Sequence, residues 1–322
     1  MTLFAHWADV NFASNKIETN MRVFLTGASG FVGSAILNEL LNNGHQVLGL
    51  VRSDDAVRKL EAAGASPLQG DVNDTELLRK GAAASDAVIH TAFNHDFSQF
   101  KASCEADRKV IETLGQALAG TDKPLVITTG MGLLRYDRPV NEDDVLNVKS
   151  DQIPRAATDE AAHAAAANGV DVYLMRLPPS VHGAGDHGFV PMVIGMAKEK
   201  GESAYIGDGS NQWPAVHRFD AAVLYRLVVE QRPSLKVLHA VAEEGIPFRE
   251  IAAAIGAGLG LPVVSKTGES AAAHFTWFQH FASIGCVASS ERTREILGWQ
   301  PVEPGLLADI YSAGYLTAPA SH

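Results

Sequence analysis

Gly27, Gly30 and Gly33 recur every three residues in the stretch Thr26-Gly27-Ala28-Ser29-Gly30-Phe31-Val32-Gly33. A short apolar run, 21–25, precedes them, and an amphipathic segment, 35–42, follows. In a strand–turn–helix context each glycine has work to do. Gly27 allows the tight turn out of the strand, Gly30 leaves the backbone bare for a pyrophosphate, and Gly33 lets the helix lie close to the sheet. Unpaired amides and the positive end of the helix dipole then attract a diphosphate. The chemistry this permits is the binding of a dinucleotide.

Other residue types follow at the spacing such a site needs. The next strand-like run, 46–51, ends in Arg52-Ser53 rather than in an acid, with Asp54 and Asp55 only later. A guanidinium and a hydroxyl suit a ribose 2′-phosphate, so NADP(H) is preferred over NAD(H). In the alternative, Arg52 is a solvated surface charge and Asp54 or Asp55 reaches the ribose. Asp71-Val72 follows the third strand-like run, where an adenine would sit. Thr91-Ala92-Phe93 follows the fourth and Thr128-Thr129-Gly130 the fifth, so both groups face a cofactor crevice.

These groups have to be held by a regular scaffold. Apolar runs at 23–26, 47–51, 66–68, 87–91, 125–129 and 172–177 alternate with helical patterns at 34–42, 56–63, 74–83, 103–118 and 156–168. Such alternation predicts an α/β fold, a doubly wound parallel sheet with ligands at the carboxyl ends of its strands. The expected organisation is an N-terminal extension at 1–20, a dinucleotide-binding domain at 21–182 and a smaller substrate lobe at 183–322, rich in Gly- and Pro-punctuated loops. With 322 residues, 46% hydrophobic and 20% charged, the chain can bury a large core. A net charge of -11 leaves no basic footprint for nucleic acid or an anionic membrane. Its two cysteines, Cys104 and Cys286, give neither a disulfide framework nor metal-ligand spacing, which fits a reducing cytoplasm and no metal. The expected partner is a small-molecule substrate.

From 21 to about 317 the sequence resembles the extended or atypical short-chain dehydrogenase/reductases of the NAD-dependent epimerase/dehydratase type. Besides the glycine motif, the resemblance rests on Gly70-Asp71-Val72-Asn73-Asp74, on Asp86-Ala87-Val88-Ile89-His90-Thr91-Ala92-Phe93 and on Val126-Ile127-Thr128-Thr129-Gly130. It continues through Arg176-Leu177-Pro178-Pro179-Ser180-Val181-His182-Gly183, His217-Arg218-Phe219-Asp220-Ala221-Ala222 and the segment 289–299. The resemblance implies pyrophosphate contacts from the amides of Ser29, Gly30, Phe31 and Val32. It implies adenine contacts from Asp71 and Val72. Thr91, Ala92 and Phe93 would line the nicotinamide ribose, and Pro178, Ser180 and Val181 would touch the nicotinamide. It also implies that helices around 104–118 and 156–168 pair across a homodimer, although an alanine-rich helix buried within one chain has the same composition. Asp220 and His217 are expected to anchor the lobes by hydrogen bonds.

One departure is central. The family carries Tyr-x-x-x-Lys on the helix before the Arg176 strand, where the ammonium lowers the phenol's pKa so that it can donate a proton to a carbonyl oxygen. This motif occurs nowhere here, and Ser150 and Pro154 fall near its two positions. Arg155 can supply the cation but not a base, and its alternative role is a surface ion pair with Asp159. Thr129, or else Thr128, matches the hydroxyl that polarises the substrate carbonyl, while a shift of one would leave Gly130 there. Proton sources in reach by sequence are Tyr136, His182 and His187, and pocket walls are Phe93, His95, Phe97 and Trp213. The expected catalytic set is therefore Thr129, Arg155 and His182, with Phe93, His95, His187 and Trp213 facing substrate. The expected activity is an NADP-dependent oxidoreductase that reduces a ketone or aldehyde. The alternatives are a cofactor-binding sensor that has lost the chemistry and a sugar epimerase or dehydratase.

Overall fold

The computed structural model of the chain describes residues 20–134 and 136–317, so the expected extension at 1–20 lies, but for its last residue, outside the described part. The first half alternates as its periodicity predicts: β1 Arg22–Thr26, α1 Phe31–Asn42, β2 Gln46–Val51, α2 Asp54–Ala62, β3 Ser66–Gln69, α3 Thr75–Ala83, β4 Ala87–His90, α4 Phe100–Leu118, β5 Pro124–Gly130, α5 Ala157–Ala167 and β6 Asp171–Leu177. Local chemistry starts the helices. Ser53 accepts from the Ala56 amide to cap α2, and Asp74 accepts from the Glu76 and Leu77 amides to cap α3.

The remaining elements are β7 Ser180–His182, α6 Phe189–Lys200, β8 Ser203–Ile206, β9 Gln212–His217, α7 Arg218–Gln231, β10 Val237–His239, β11 Glu243–Pro247, α8 Phe248–Leu259, β12 Val263–Lys266, α9 Gly268–Phe275, α10 Gln279–Ser283, α11 Glu291–Leu297 and α12 Leu306–Ser312. The main sheet has seven strands in the order β10-β6-β5-β4-β1-β2-β3, and every pairing in it is parallel. The order reverses between β1 and β4, which opens a crevice at their carboxyl ends. One face is covered by α1, α2 and α7, with Ile36, Leu40, Leu60, Leu224 and Tyr225 in a common core. The other face buries Phe24, Leu78, Ile111 and Leu114 with Ala161, Ala162 and Ala165 of α5. The alanine-rich face of α5 is thus occupied within the chain. A second core, around Trp213, Phe248, Phe275 and Phe278, belongs to the smaller lobe.

The two lobes are not divided at 182. After β9 the chain returns to the first lobe, where α7 packs on α1 and β10 extends the sheet beside β6. Without β10 the edge of β6 would present unpaired amides and carbonyls. A strand of three residues carries too little alternation to be read from sequence. Asp220 accepts from the amides of Val302 at 2.9 Å and Glu303 at 3.1 Å, which ties α7 to the segment between α11 and α12. His217 caps α7 through the Phe219 amide.

Candidate active site

A cleft of about 970 Å³ runs along the carboxyl ends of β1, β2, β4, β5 and β6. The turn between β1 and α1 forms its floor at one end. Gly27 has φ +73°, and a Cβ there would stand 2.8 Å from the Ala92 nitrogen. A Cβ on Gly33 would lie 2.0 Å from the Gly27 carbonyl oxygen, so only glycine lets α1 come this close. Gly27, Ser29, Gly30, Phe31, Val32 and Gly33 all line the cleft. A turn with bare glycines at 27 and 30, placed at the N-terminus of α1 on a roomy cleft, fits a dinucleotide's diphosphate, although the Gly30 amide itself is bonded to the Gly27 carbonyl.

Beyond this turn, Arg52, Asp71 and Val72 line the cleft. Asp71 accepts from the Asn73 amide at 2.8 Å, and that hydrogen bond leads the effects holding its carboxyl below the ordinary range. Ser53 does not line the cleft. Its hydroxyl oxygen caps α2, and its place outside the lining corrects its expected cofactor contact. Asp54 accepts from Gln69 and Asp55 pairs with Lys59, and neither acid lines the cleft.

Thr91 and Ala92 pack against the Gly27 turn, and past them Phe93, Pro178 and Val181 line the cleft, as do His95, His187 and Trp213. Ser180 and His182 do not. Both are buried on β7, and His182 Nδ1 lies 2.8 Å from Asp309 Oδ2 with its ring against His217. His182 is therefore removed from the catalytic set. The two threonines line the cleft, yet their hydroxyls turn to opposite faces of the sheet. Thr128 Oγ1 shares a 2.8 Å hydrogen bond with the Tyr225 phenol, and Thr129 Oγ1 donates to Asp159 at 2.6 Å. Thr129 thus has its proton committed to a buried carboxylate and is corrected from carbonyl donor to wall. Tyr136 donates to the Val145 carbonyl, and Ser150 is tied to Arg108 and Glu160. Neither enters the cleft, whose lining holds neither a tyrosine nor a lysine among the described residues.

Arg155 does enter it, and it pairs with Asp107 rather than Asp159. Its Nη1 donates to Asp107 Oδ2 at 2.7 Å and to Thr158 Oγ1 at 2.5 Å, while the Phe93 ring lies 3.9 Å from the guanidinium carbon. Asp107 also meets His90 Nε2 at 2.9 Å, and His90 Nδ1 meets Thr26 Oγ1 at 2.7 Å. Burial alone would raise the Asp107 carboxyl. The His90 hydrogen bond, the His90 and Arg155 charges and the Thr158 hydroxyl outweigh it and hold the group at about 2. The result is a fixed cation at the reacting end of the crevice, locked by a buried acid. His95 stands beside it, edge-on to Phe93 with ring centres 5.1 Å apart. His95 stays accessible within the cleft, and partial loss of hydration there, then the charges of Arg155 and His187, hold its imidazole below the ordinary 6.5.

Two of these residues escape sequence reasoning for different reasons. His90 is the last residue of a buried strand and reads as core. Asp107, however, leaves a trace: it falls on the apolar stripe of α4 with Ser103, Cys104, Val110, Ile111 and Leu114, all buried. An acid in such a stripe needs a buried partner.

The comparisons with known proteins agree with this geometry. A family profile described as NAD(P)H-binding matches residues 27–177, so the first lobe is an NAD(P)-binding Rossmann domain. An uncharacterized protein of Schizosaccharomyces pombe is 47% identical over 92% of this chain and 100% of that protein. A 2-alkyl-3-oxoalkanoate reductase of Stenotrophomonas maltophilia is 29% identical over 76% of this chain and 78% of that protein. In fold, the chain is similar to the dTDP-glucose 4,6-dehydratase of Streptomyces venezuelae, solved with NAD bound. The TM-score is 0.73 at 18% identity, over 91% of this chain and 95% of that one. The chain thus carries an NAD(P)H-binding domain over residues 27–177 and shares the fold of the short-chain dehydrogenase/reductases, and its sequence holds no Tyr-x-x-x-Lys. No helix among the described residues is long and apolar enough to cross a membrane.

Proposed function

We propose that the protein is an NADP(H)-dependent oxidoreductase that reduces the carbonyl group of a small organic substrate. The observation that carries this reading is Arg155, a guanidinium fixed by Asp107 and Phe93 at the reacting end of a dinucleotide cleft. Bound reduced nicotinamide supplies two electrons and one hydrogen to the carbonyl carbon. Arg155 donates a hydrogen bond to the carbonyl oxygen and stabilises its developing negative charge, the task of the missing phenol. Since Arg155 cannot release its proton, a second group must do so. His95 fills that role: as imidazolium it gives its proton to the oxygen as the carbonyl π bond breaks, and solvent reprotonates it. Arg52 supports NADP(H), because it lines the cleft while Asp54 and Asp55 are engaged elsewhere.

The test is oxidation of NADPH and NADH, followed by absorbance, against a panel of ketones and aldehydes. Turnover with NADPH, faster than with NADH, supports the reading. A second reading, a cofactor-binding regulator, is favoured by the absence of tyrosine and lysine from the lining. Tight NADPH binding with no turnover on any carbonyl compound would establish that reading and overturn the first.

A further inference from the structure

From Arg155 and Phe93 the rings of Phe100 and Phe97 lead to a basin lined by both lobes. Phe97 comes from the first lobe, and Phe189, Met192, Trp213 and Phe281 come from the second; all five line it. The rings form a continuous set. Phe97 lies 6.2 Å from Phe189 and 5.8 Å from Phe281, and Phe189 lies 4.8 Å from Phe281 and 6.0 Å from Trp213. Trp277, 53% exposed, closes on Phe97 at 5.3 Å from outside. It follows Thr276, whose φ of +51° is costly for a β-branched residue. The chain accepts a strained turn where it brings these rings to the cleft.

Charge at this end is sparse and already balanced. Arg155 is paired with Asp107. Among the described residues lining this end, the imidazoles of His95 and His187 are the other titratable bases and Asp186 the other carboxyl, which accepts from the Gly188 amide at 2.6 Å and from the Tyr315 phenol at 2.7 Å. Its carboxyl sits above the ordinary range because it is buried. A diphosphate or carboxylate entering the basin would find one committed guanidinium, an acid and two imidazoles, of which His95 is held toward its neutral form. An uncharged ring would find faces and edges on several sides, the arrangement aromatic groups prefer.

We infer that the basin bounded by Phe97, Phe189, Trp213 and Phe281 takes an uncharged, ring-bearing ketone or aldehyde, with its carbonyl turned toward Arg155, and does not take a nucleotide sugar or a short keto acid. This assignment rests on the proposed carbonyl reduction for its orientation, yet it can be read by binding alone.

The experiment uses the full chain saturated with NADP. Methyl naphthyl ketone, UDP-glucose and pyruvate are titrated separately, with quenching of tryptophan fluorescence and calorimetry as readouts. Steady-state NADPH oxidation is measured in parallel. The expected result is saturable binding of the naphthyl ketone only. Phe281→Ala should weaken it by about tenfold or more with NADP affinity unchanged. Phe97→Ala, at a half-buried position and less disruptive to the core, should do the same. Tighter binding of UDP-glucose or pyruvate, or unchanged ketone affinity in both folded variants, overturns the assignment. If the ketone binds but no carbonyl compound is turned over, carbonyl reduction falls and the basin assignment stands. If only small polar aldehydes are turned over and ring-bearing ones fail to bind, the basin assignment falls and carbonyl reduction stands.

Discussion

At the scale of single residues, the proposed reaction puts a fixed cation and a separate imidazole in place of a titratable pair. In that proposal Arg155 acts by charge and geometry, so its removal should affect the chemical step more than cofactor binding. Arg155→Ala is expected to lower kcat by about a hundredfold, with Arg155→Lys intermediate and the dissociation constant for NADPH little changed. Steady-state kinetics beside a fluorescence titration would check this. His95 makes the pH profile informative. Its pKa is lowered, so the imidazolium is abundant only below the ordinary 6.5. Carbonyl reduction consumes that proton, so kcat/KM should fall as pH rises through a value under 6.5. Alcohol oxidation should gain over the same interval. A profile of kcat/KM against pH for the native chain and for His95→Asn would show whether that limb belongs to this ring. The place of both residues in the cleft lining was legible from chain order, His95 as a pocket wall rather than as a proton source. The loss of Thr129 and His182 from the catalytic set was not legible. Their partners, Asp159 and Asp309, are 30 and 127 residues away, and no local pattern announces such pairs.

At the scale of elements, two devices determine whether the site exists at all. The first is the β1–α1 turn, which the glycine spacing made readable because each glycine answers a steric demand of the backbone itself. Gly33→Ala would press its methyl into the Gly27 carbonyl oxygen, 2.0 Å from an ideal Cβ. The helix would have to move off the sheet and carry the amides away from the diphosphate. NADPH affinity is expected to drop by about a hundredfold or more, on the order of 3 kcal/mol, read by fluorescence enhancement. The second is α4, which holds Asp107 under the cleft. Asp107 sits at about 2 against an ordinary 3.8. A depressed carboxyl contributes stability that is complete above 3.8 and is lost as pH falls toward 2, on the order of 2 kcal/mol. Asp107→Asn also leaves Arg155 without its counter-charge, so the variant should lose about 3 kcal/mol near neutral pH. Urea melts across acid pH should show that deficit shrinking as the native carboxylate is protonated. A deficit independent of pH would mean that the amide disturbs packing rather than charge.

At the scale of the whole molecule, the sequence conveys the first six strands well and the closure of the fold poorly. The runs at β1, β2, β4, β5 and β6 are mostly buried and read as apolar stretches, while the edge strand β3, Ser66-Pro67-Leu68-Gln69, is partly exposed and reads by its place in the alternation. The return of the chain after β9 does not. The helical pattern of α7 is visible, yet nothing in it says that its partner is α1, nearly two hundred residues earlier. The consequence is testable by cutting the chain. A fragment ending at residue 182 keeps the glycine turn and β1 to β7, but it loses the helix that covers Ile36, Leu37 and Leu40 of α1. Leu224, Tyr225 and Val228 of α7 share that core, and β10 shields the edge of β6. A parallel sheet with one face partly stripped and one edge bare lacks the burial that offsets chain entropy. The fragment should bind a hydrophobic dye, lose a cooperative thermal transition and fail to bind NADPH. A fragment that melts cooperatively and retains the cofactor would show instead that the Rossmann half folds alone and that α7 and β10 only clamp the second lobe onto it.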